Sequence, residues 1–144
     1  MKIRKTFTFD AAHCLPLHEG KCKQLHGHTW KLTVCVDGMI DQKTGFVLDF
    51  NTLKHLVEQS VINRLDHKFL GMATCLPELA AQHYADCCKD HRAFYPTSEN
   101  LLIWIGEELI LANILWDNLT LAETETCSAT LTYAEYTRLE TAHA

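Results

Sequence analysis

The chain has 144 residues, with 13 Lys and Arg against 18 Asp and Glu, for a formal net charge of -5. That length fits one domain with its own core, and 47% hydrophobic with 22% charged residues excludes a disordered or low-complexity chain. The negative balance excludes a broad nucleic-acid surface, which needs lysines and arginines against phosphates, but leaves room for a local basic patch facing one phosphorylated small molecule.

No segment reaches the ~18 apolar residues of a membrane span, and no apolar run of the signal-peptide kind follows the basic N-terminal residues. The seven cysteines are odd in number and lack a secretory context, so reduced thiols and a soluble, cytoplasmic protein are expected. Cys35, inside KLTVCVD, reads as a small buried hydrophobe.

In KIRKTFTFDAAH, Ile3, Phe7, Phe9, Ala11 and His13 share one parity, the pattern of a half-buried strand. HGHTWKLTVCV sets His26, His28, Trp30, Leu32, Val34 and Val36 on one face of a second strand. After a turn closing on Gly45, NTLKHLVEQSVINRLD carries Leu53, Leu56, Val57, Val61 and Leu65 near a 3.6-residue period, an amphipathic helix with Asp49 or Asn51 as its cap. Residues 71–95 are long for a connection and include the helix-friendly PELAAQHYADCCK, which predicts a short extra helix. PTSEN opens a second long helix with Leu101, Trp104, Ile105, Leu109 and Ala112 as its apolar stripe. NLTLAETETCSATLTYAEY then reads as two further strands around Cys127 and Ser128. The expected fold is α+β: a four-stranded antiparallel sheet with two helices on one face. Its two open edges call for cover or for pairing between copies.

Histidines two apart on a strand project to one side, so His26 and His28 form half of a metal site that His13 completes if the two strands pair. Cys22 admits three readings. It is a fourth ligand that makes the metal structural, a thiolate suited by its neighbours Lys21 and Lys23 to proton transfer, or an inert buried thiol. Asp66 and His67 read either as a helix-terminal surface pair or, with a thiol nearby, as a proton-handling pair. Glu123 and Glu125 share a parity, and a carboxylate there can take two parallel hydrogen bonds from the N–H edge of a pterin or guanine.

In order, AAH (11–13), CKQLHGH (22–28), GFVLDF (45–50), LDHKFL (65–70), PTSEN (96–100) and ETCSA (125–129) resemble the 6-pyruvoyl-tetrahydropterin synthase family from Phe7 to about Tyr133. The three residues between Cys22 and His26 make the chain most similar to the 6-carboxy-5,6,7,8-tetrahydropterin synthase branch. The resemblance implies the tunnelling fold, a single pterin-binding domain over 1–144 whose sheets join into an oligomeric barrel, commonly a homohexamer built as a dimer of trimers. It implies Zn²⁺ held by His13, His26 and His28, and catalysis by Cys22 with Asp66 and His67 supplied across a subunit interface. It places Glu125 as the pterin anchor and Thr97, Ser98 and Glu99 near the pterin pocket, with Glu123 a bystander.

The implied reaction converts 7,8-dihydroneopterin triphosphate to 6-carboxytetrahydropterin, acetaldehyde and triphosphate, a carbon–carbon lyase step toward queuosine. The alternatives are pyruvoyl-type synthesis from the same substrate and a non-catalytic pterin or purine binder. No nucleic-acid or membrane partner is expected. The chain departs from the family in an insert at about 71–95 carrying Cys75, His83, Cys87, Cys88 and His91, which reads as a lid or an intersubunit contact, and less readily as a second metal site.

Overall fold

The computed structural model describes residues 1–71, 83–85 and 95–142. Two long strands, β1 (Lys2–His13) and β2 (His26–Asp37), pair antiparallel along their whole length, from Lys2 opposite Asp37 to His13 opposite His26. Alternation decides their faces: Phe7, Phe9, Ala11 and His13 turn inward with Trp30, Leu32 and Val34, while Thr6, Thr8 and Asp10 stay exposed.

The sheet differs from the four-stranded antiparallel expectation. Among the described residues it has five strands in the order β3-β1-β2-β4-β5, with β4 (Trp116–Ala122) and β5 (Ser128–Thr132) antiparallel and β3 (Lys68–Leu70) parallel to β1. Three residues are too few to display a period of two, and β3 is a strand only because it lies against Ala11–His13.

The first helical run comprises α1 (Phe50–Val57), a π-helical stretch (Glu58–Ile62) and a closing turn, α2 (Asn63–Leu65). Asp49 caps it, accepting from the amides of Asn51 and Thr52. Leu53, Val57, Val61 and Leu65 are fully buried on its inner side. The second, α3 (Ser98–Leu111), buries Leu101, Leu102, Ile105 and Leu109 in the same core as Trp30, Leu119 and Leu121. A further helix, α4 (Tyr133–Ala142), replaces the expected continuation of the last strand. Thr132 and Glu135 form its capping box, with the Thr132 amide donating to Glu135 Oε2 at 2.9 Å and the Glu135 amide to Thr132 Oγ1 at 3.3 Å. Tyr136 of α4 packs its ring 5.7 Å from that of Trp116. Among the described residues no helix is long and apolar enough to cross a membrane. The extra helix expected within 71–95 lies outside the described residues.

Candidate metal centre

The β1–β2 register brings His13 opposite His26 and Ala11 opposite His28, all three rings on the face shared with Trp30. Gly27 lies between the two β2 histidines and opposite Ala12, where a side chain would meet the Ala11 carbonyl at 3.4 Å. One nitrogen from each ring falls within 4.8 Å of the others.

Backbone carbonyls fix which nitrogens these are. His13 Nδ1 donates to the Pro96 carbonyl at 2.9 Å, and His26 Nδ1 to the Gln24 carbonyl at 2.8 Å. A carbonyl only accepts, so each Nδ1 carries the proton and each Nε2 presents a lone pair. His13 Nε2 and His26 Nε2 nevertheless stand 3.0 Å apart. Two lone pairs at that distance repel unless a proton or a cation lies between them. Among the described residues His28 Nε2 is buried with no hydrogen-bond partner, an arrangement that costs about 1–3 kcal/mol if nothing satisfies the atom. Burial pushes the His13 and His28 rings below the ordinary histidine value, against a raising influence from the Pro96 carbonyl on His13 and from Glu123 on both. Neutral imidazoles with carbonyl-oriented rings are the donor set a divalent transition metal takes, so the residues present fit one.

Cys22 sits in a single 3₁₀ turn, Lys21–Lys23, whose Cys22 carbonyl accepts from the Leu15 amide at 2.8 Å. Its half-buried thiol is not a member of the histidine cluster and makes no hydrogen bond among the described residues.

Asp66 and His67 are brought together, with His67 Nδ1 3.0 Å from Asp66 Oδ1. The chain leaves the helix in extended conformation at Asp66 and turns through φ 57 at His67, a region non-glycine residues seldom occupy. The His67 amide donates to the Asp10 carbonyl and the Asp10 amide to Asp66 Oδ1 at 2.9 Å. Burial acts to raise the Asp66 value, but the Asp10 amide and the His67 ring outweigh it and hold the carboxyl below its ordinary range. Asp10 has the parity opposite to His13, and among the described residues no hydrogen bond joins the pair to Cys22 or to the three histidines. A depression of about 720 Å³ runs from His28 past His67 to His83. Cys75, Cys87, Cys88 and His91 lie outside the described residues.

A smaller cleft of about 290 Å³ is lined by Thr97, Ser98, Glu99, Glu123 and Cys127, among others. Thr97 also caps α3, its Oγ1 accepting from the Asn100 amide at 3.3 Å. Glu123 is the hairpin glutamate that lines this cleft; Glu125 is exposed on the β4–β5 turn. The parity that Glu123 shares with the buried Leu119 and Leu121 is the signal in the sequence for its inward placement. The orienting carbonyls of Pro96 and Gln24 have no such signal, because any residue supplies one.

Comparison with known proteins gives a family model described as 6-pyruvoyl tetrahydropterin synthase, matched over residues 2–136. A 6-carboxy-5,6,7,8-tetrahydropterin synthase of Synechocystis is 36% identical over 116 residues, covering 78% of this chain and 77% of that one. One from Haemophilus influenzae is 44% identical over 72 residues, covering 48% of this chain and 51% of that one, so the match spans about half of each. A dihydroneopterin monophosphate aldolase of Pyrococcus furiosus is 36% identical over 111 residues, 76% of either chain. Among solved structures, 6-pyruvoyl tetrahydropterin synthase of Caenorhabditis elegans superposes with a TM-score of 0.70 at 24% identity, covering 92% of this chain and 94% of that one, a likeness of fold.

Proposed function

Because the chain belongs to the 6-pyruvoyl tetrahydropterin synthase family, we propose that it is a zinc-dependent 6-carboxytetrahydropterin synthase, a carbon–carbon lyase acting on 7,8-dihydroneopterin triphosphate. The observation that carries this reading is the convergence of three histidine nitrogens, two with their protons committed to carbonyls and the third buried without a partner among the described residues. His13, His26 and His28 would hold Zn²⁺, which supplies polarisation of a substrate oxygen and so eases loss of the adjacent C–H proton. The relatives named as 6-carboxytetrahydropterin synthases support the branch.

In this reading Cys22 Sγ accepts and returns the proton, with Lys21 and Lys23 keeping positive charge beside the thiolate. The Asp66–His67 pair assists from a neighbouring copy, because His67 is exposed and, among the described residues, no hydrogen bond joins the pair to Cys22 of the same chain. Thr97, Ser98 and Glu99 shape the pterin pocket, and Glu125 on its exposed turn meets the pterin edge once copies assemble. The single domain over 1–144, with its insert at about 71–95, then works as part of a barrel, commonly a homohexamer, in the cytoplasm.

The similarity to an aldolase of dihydroneopterin monophosphate supports a second reading, cleavage of a monophosphorylated dihydropterin at the same centre. Purified protein with and without Zn²⁺, given each phosphorylated dihydropterin in turn, separates the two. Acetaldehyde and 6-carboxytetrahydropterin from the triphosphate are expected. A pyruvoyl product, turnover of the monophosphate alone, or no turnover with zinc bound overturns the reading. Cys22→Ala should keep its zinc and lose at least about a hundredfold in kcat; loss of zinc with it makes Cys22 a ligand instead.

A further inference from the structure

Residues 14–25, which join β1 to β2, carry Cys22. At the start of this loop Cys14 is buried against Phe69 and Tyr84. Pro16 then stands second in a four-residue turn, its favoured place, with the His18 amide donating to the Leu15 carbonyl at 2.9 Å. The Leu15 amide donates to the Cys22 carbonyl at 2.8 Å, so this turn and the 3₁₀ turn that bears the thiol are joined. The amide of Leu17, third in the turn, has its partner elsewhere: it donates to the Tyr95 hydroxyl at 3.0 Å, 78 residues along the chain.

Tyr95 is held from its other side. Its carbonyl accepts from the Thr97 amide and from Asn100 Nδ2, both at 2.8 Å, which ties it to the first turn of α3. The next residue, the buried Pro96, gives its carbonyl to His13 Nδ1 at 2.9 Å, and Thr97 and Ser98 line the smaller cleft together with Leu15. Residues 95–97 therefore touch the Cys22 loop, a ring of the histidine cluster and the cleft at once.

We propose that Tyr95 is a positioning residue: its hydroxyl anchors the turn joined to Cys22 onto the segment whose Pro96 carbonyl orients His13, and so sets where the thiol stands relative to the histidine centre. The inference rests on the reading of Cys22 as the proton-transferring group. The thiol makes no hydrogen bond of its own among the described residues, so its place is inherited from the loop that carries it. Proton transfer needs that place held closely, since a misplacement of about 1 Å can cost about a hundredfold in rate. Phenylalanine at this position would keep the ring and remove the anchor. The Leu17 amide lies at an exposed site and would turn to water, so the loss falls on geometry rather than on stability.

The test is Tyr95→Phe in the full chain, followed by kcat and KM with zinc bound, by Zn²⁺ affinity in chelator competition, and by the rate at which iodoacetamide alkylates Cys22 in the metal-free chain, read peptide by peptide by mass spectrometry. The kcat should fall about tenfold with KM within about twofold of the parent. Zinc affinity should stay within about twofold, because the Pro96 carbonyl is untouched, and Cys22 should alkylate about threefold faster while the exposed Cys127 keeps its rate. A lower melting temperature with kcat and Cys22 alkylation unchanged overturns the inference, by leaving Tyr95 only a packing role. A rise in KM alone overturns it by making Tyr95 a wall of the pocket, and weaker zinc binding does so by making the residue act through His13. If Tyr95→Phe fails to fold, Asn100→Ala, which removes one bond to the Tyr95 carbonyl and keeps the hydroxyl, should shift kcat and Cys22 alkylation in the same directions; no shift there overturns the inference as well. The reading of Cys22 fails separately, if Cys22→Ala turns over as fast as the parent, and the alkylation rates still decide whether Tyr95 anchors the loop.

Discussion

His13 and His28 are held neutral chiefly by burial, and this gives the metal-free chain a stability that depends on pH. Both rings have folded values below the ordinary ~6.5, so in the window beneath that value the unfolded chain binds protons that the folded chain refuses. Stability then rises with pH through the window and is lost as pH falls, by at most about 1.4 kcal/mol per pH unit for each ring. Asp41, Asp117 and Glu135, whose carboxyls are held below their ordinary range by hydrogen bonds, titrate under this window. Urea unfolding of the chelator-treated protein at about pH 7.5 and about pH 5.5 should therefore give the lower midpoint at the acid end; equal midpoints would mean that neither ring is held neutral. At this scale the three histidines were legible from spacing, because residues two apart on a strand must share a face. The tautomer of His13 was not, since the Pro96 carbonyl reaches it only after a distant segment has packed, whereas His26 takes the carbonyl of Gln24 just before it in the chain.

Helix α3 reaches the sheet through a glycine. A Cβ on Gly106 would stand 2.7 Å from Trp116 Cζ2, and the Trp116 indole N–H donates to the Gly106 carbonyl at 3.0 Å, so the ring cannot swing aside without losing that bond. Alanine gains about 1 kcal/mol of helix propensity over glycine, but overpacking a close contact costs about 1–3 kcal/mol and the bond to a buried indole is forfeited as well. Gly106→Ala should lower stability by a net of about 1–2 kcal/mol, read from the urea midpoint; an unchanged or higher midpoint would show that the ring has another seat. The amphipathic pattern of Leu53, Val57, Val61 and Leu65 announced the first helix, though not its π-helical stretch, where the Ser60 hydroxyl bonds back to the Leu56 carbonyl at 2.7 Å. Helix α4 was legible in Thr132-x-x-Glu135, a capping box obscured by the strand-favouring threonines and tyrosine around it.

Across the whole chain, the outer face of the sheet carries a row of threonines in register, Thr6–Thr33–Thr120–Thr130, with the hydroxyls of each outer pair 3.0 Å apart. Among the described residues strand β3 covers β1 only along Ala11–His13, and β5 is the terminal strand on the far side. Long unpaired edges favour addition of another chain, and in the proposed assembly edge joins edge with the Asp66–His67 pair of one copy serving the Cys22 of the next. Mixing two inactive variants tests this. Cys22→Ala and His67→Ala, unfolded and refolded together in equal amounts, should regain activity, with about a quarter of the sites intact under random assembly. A mixture as inactive as its components would place the pair and the thiol in the same chain's site.

The sequence by itself determined the two long strands, the two main helices, the shared face of His13, His26 and His28, and a family resemblance that the family match over residues 2–136 bears out. These follow from local spacing, which dictates the direction in which each side chain leaves the backbone. Tertiary structure decided the rest. It made Lys68–Leu70 a fifth strand, because a parallel partner was waiting at the end of β1. It ended β4 at Ala122, so that of two glutamates with equal parity Glu123 lines the cleft and Glu125 faces water. Contacts of this kind join residues far apart in the chain, and no local pattern encodes which distant carbonyl, strand edge or carboxylate will arrive.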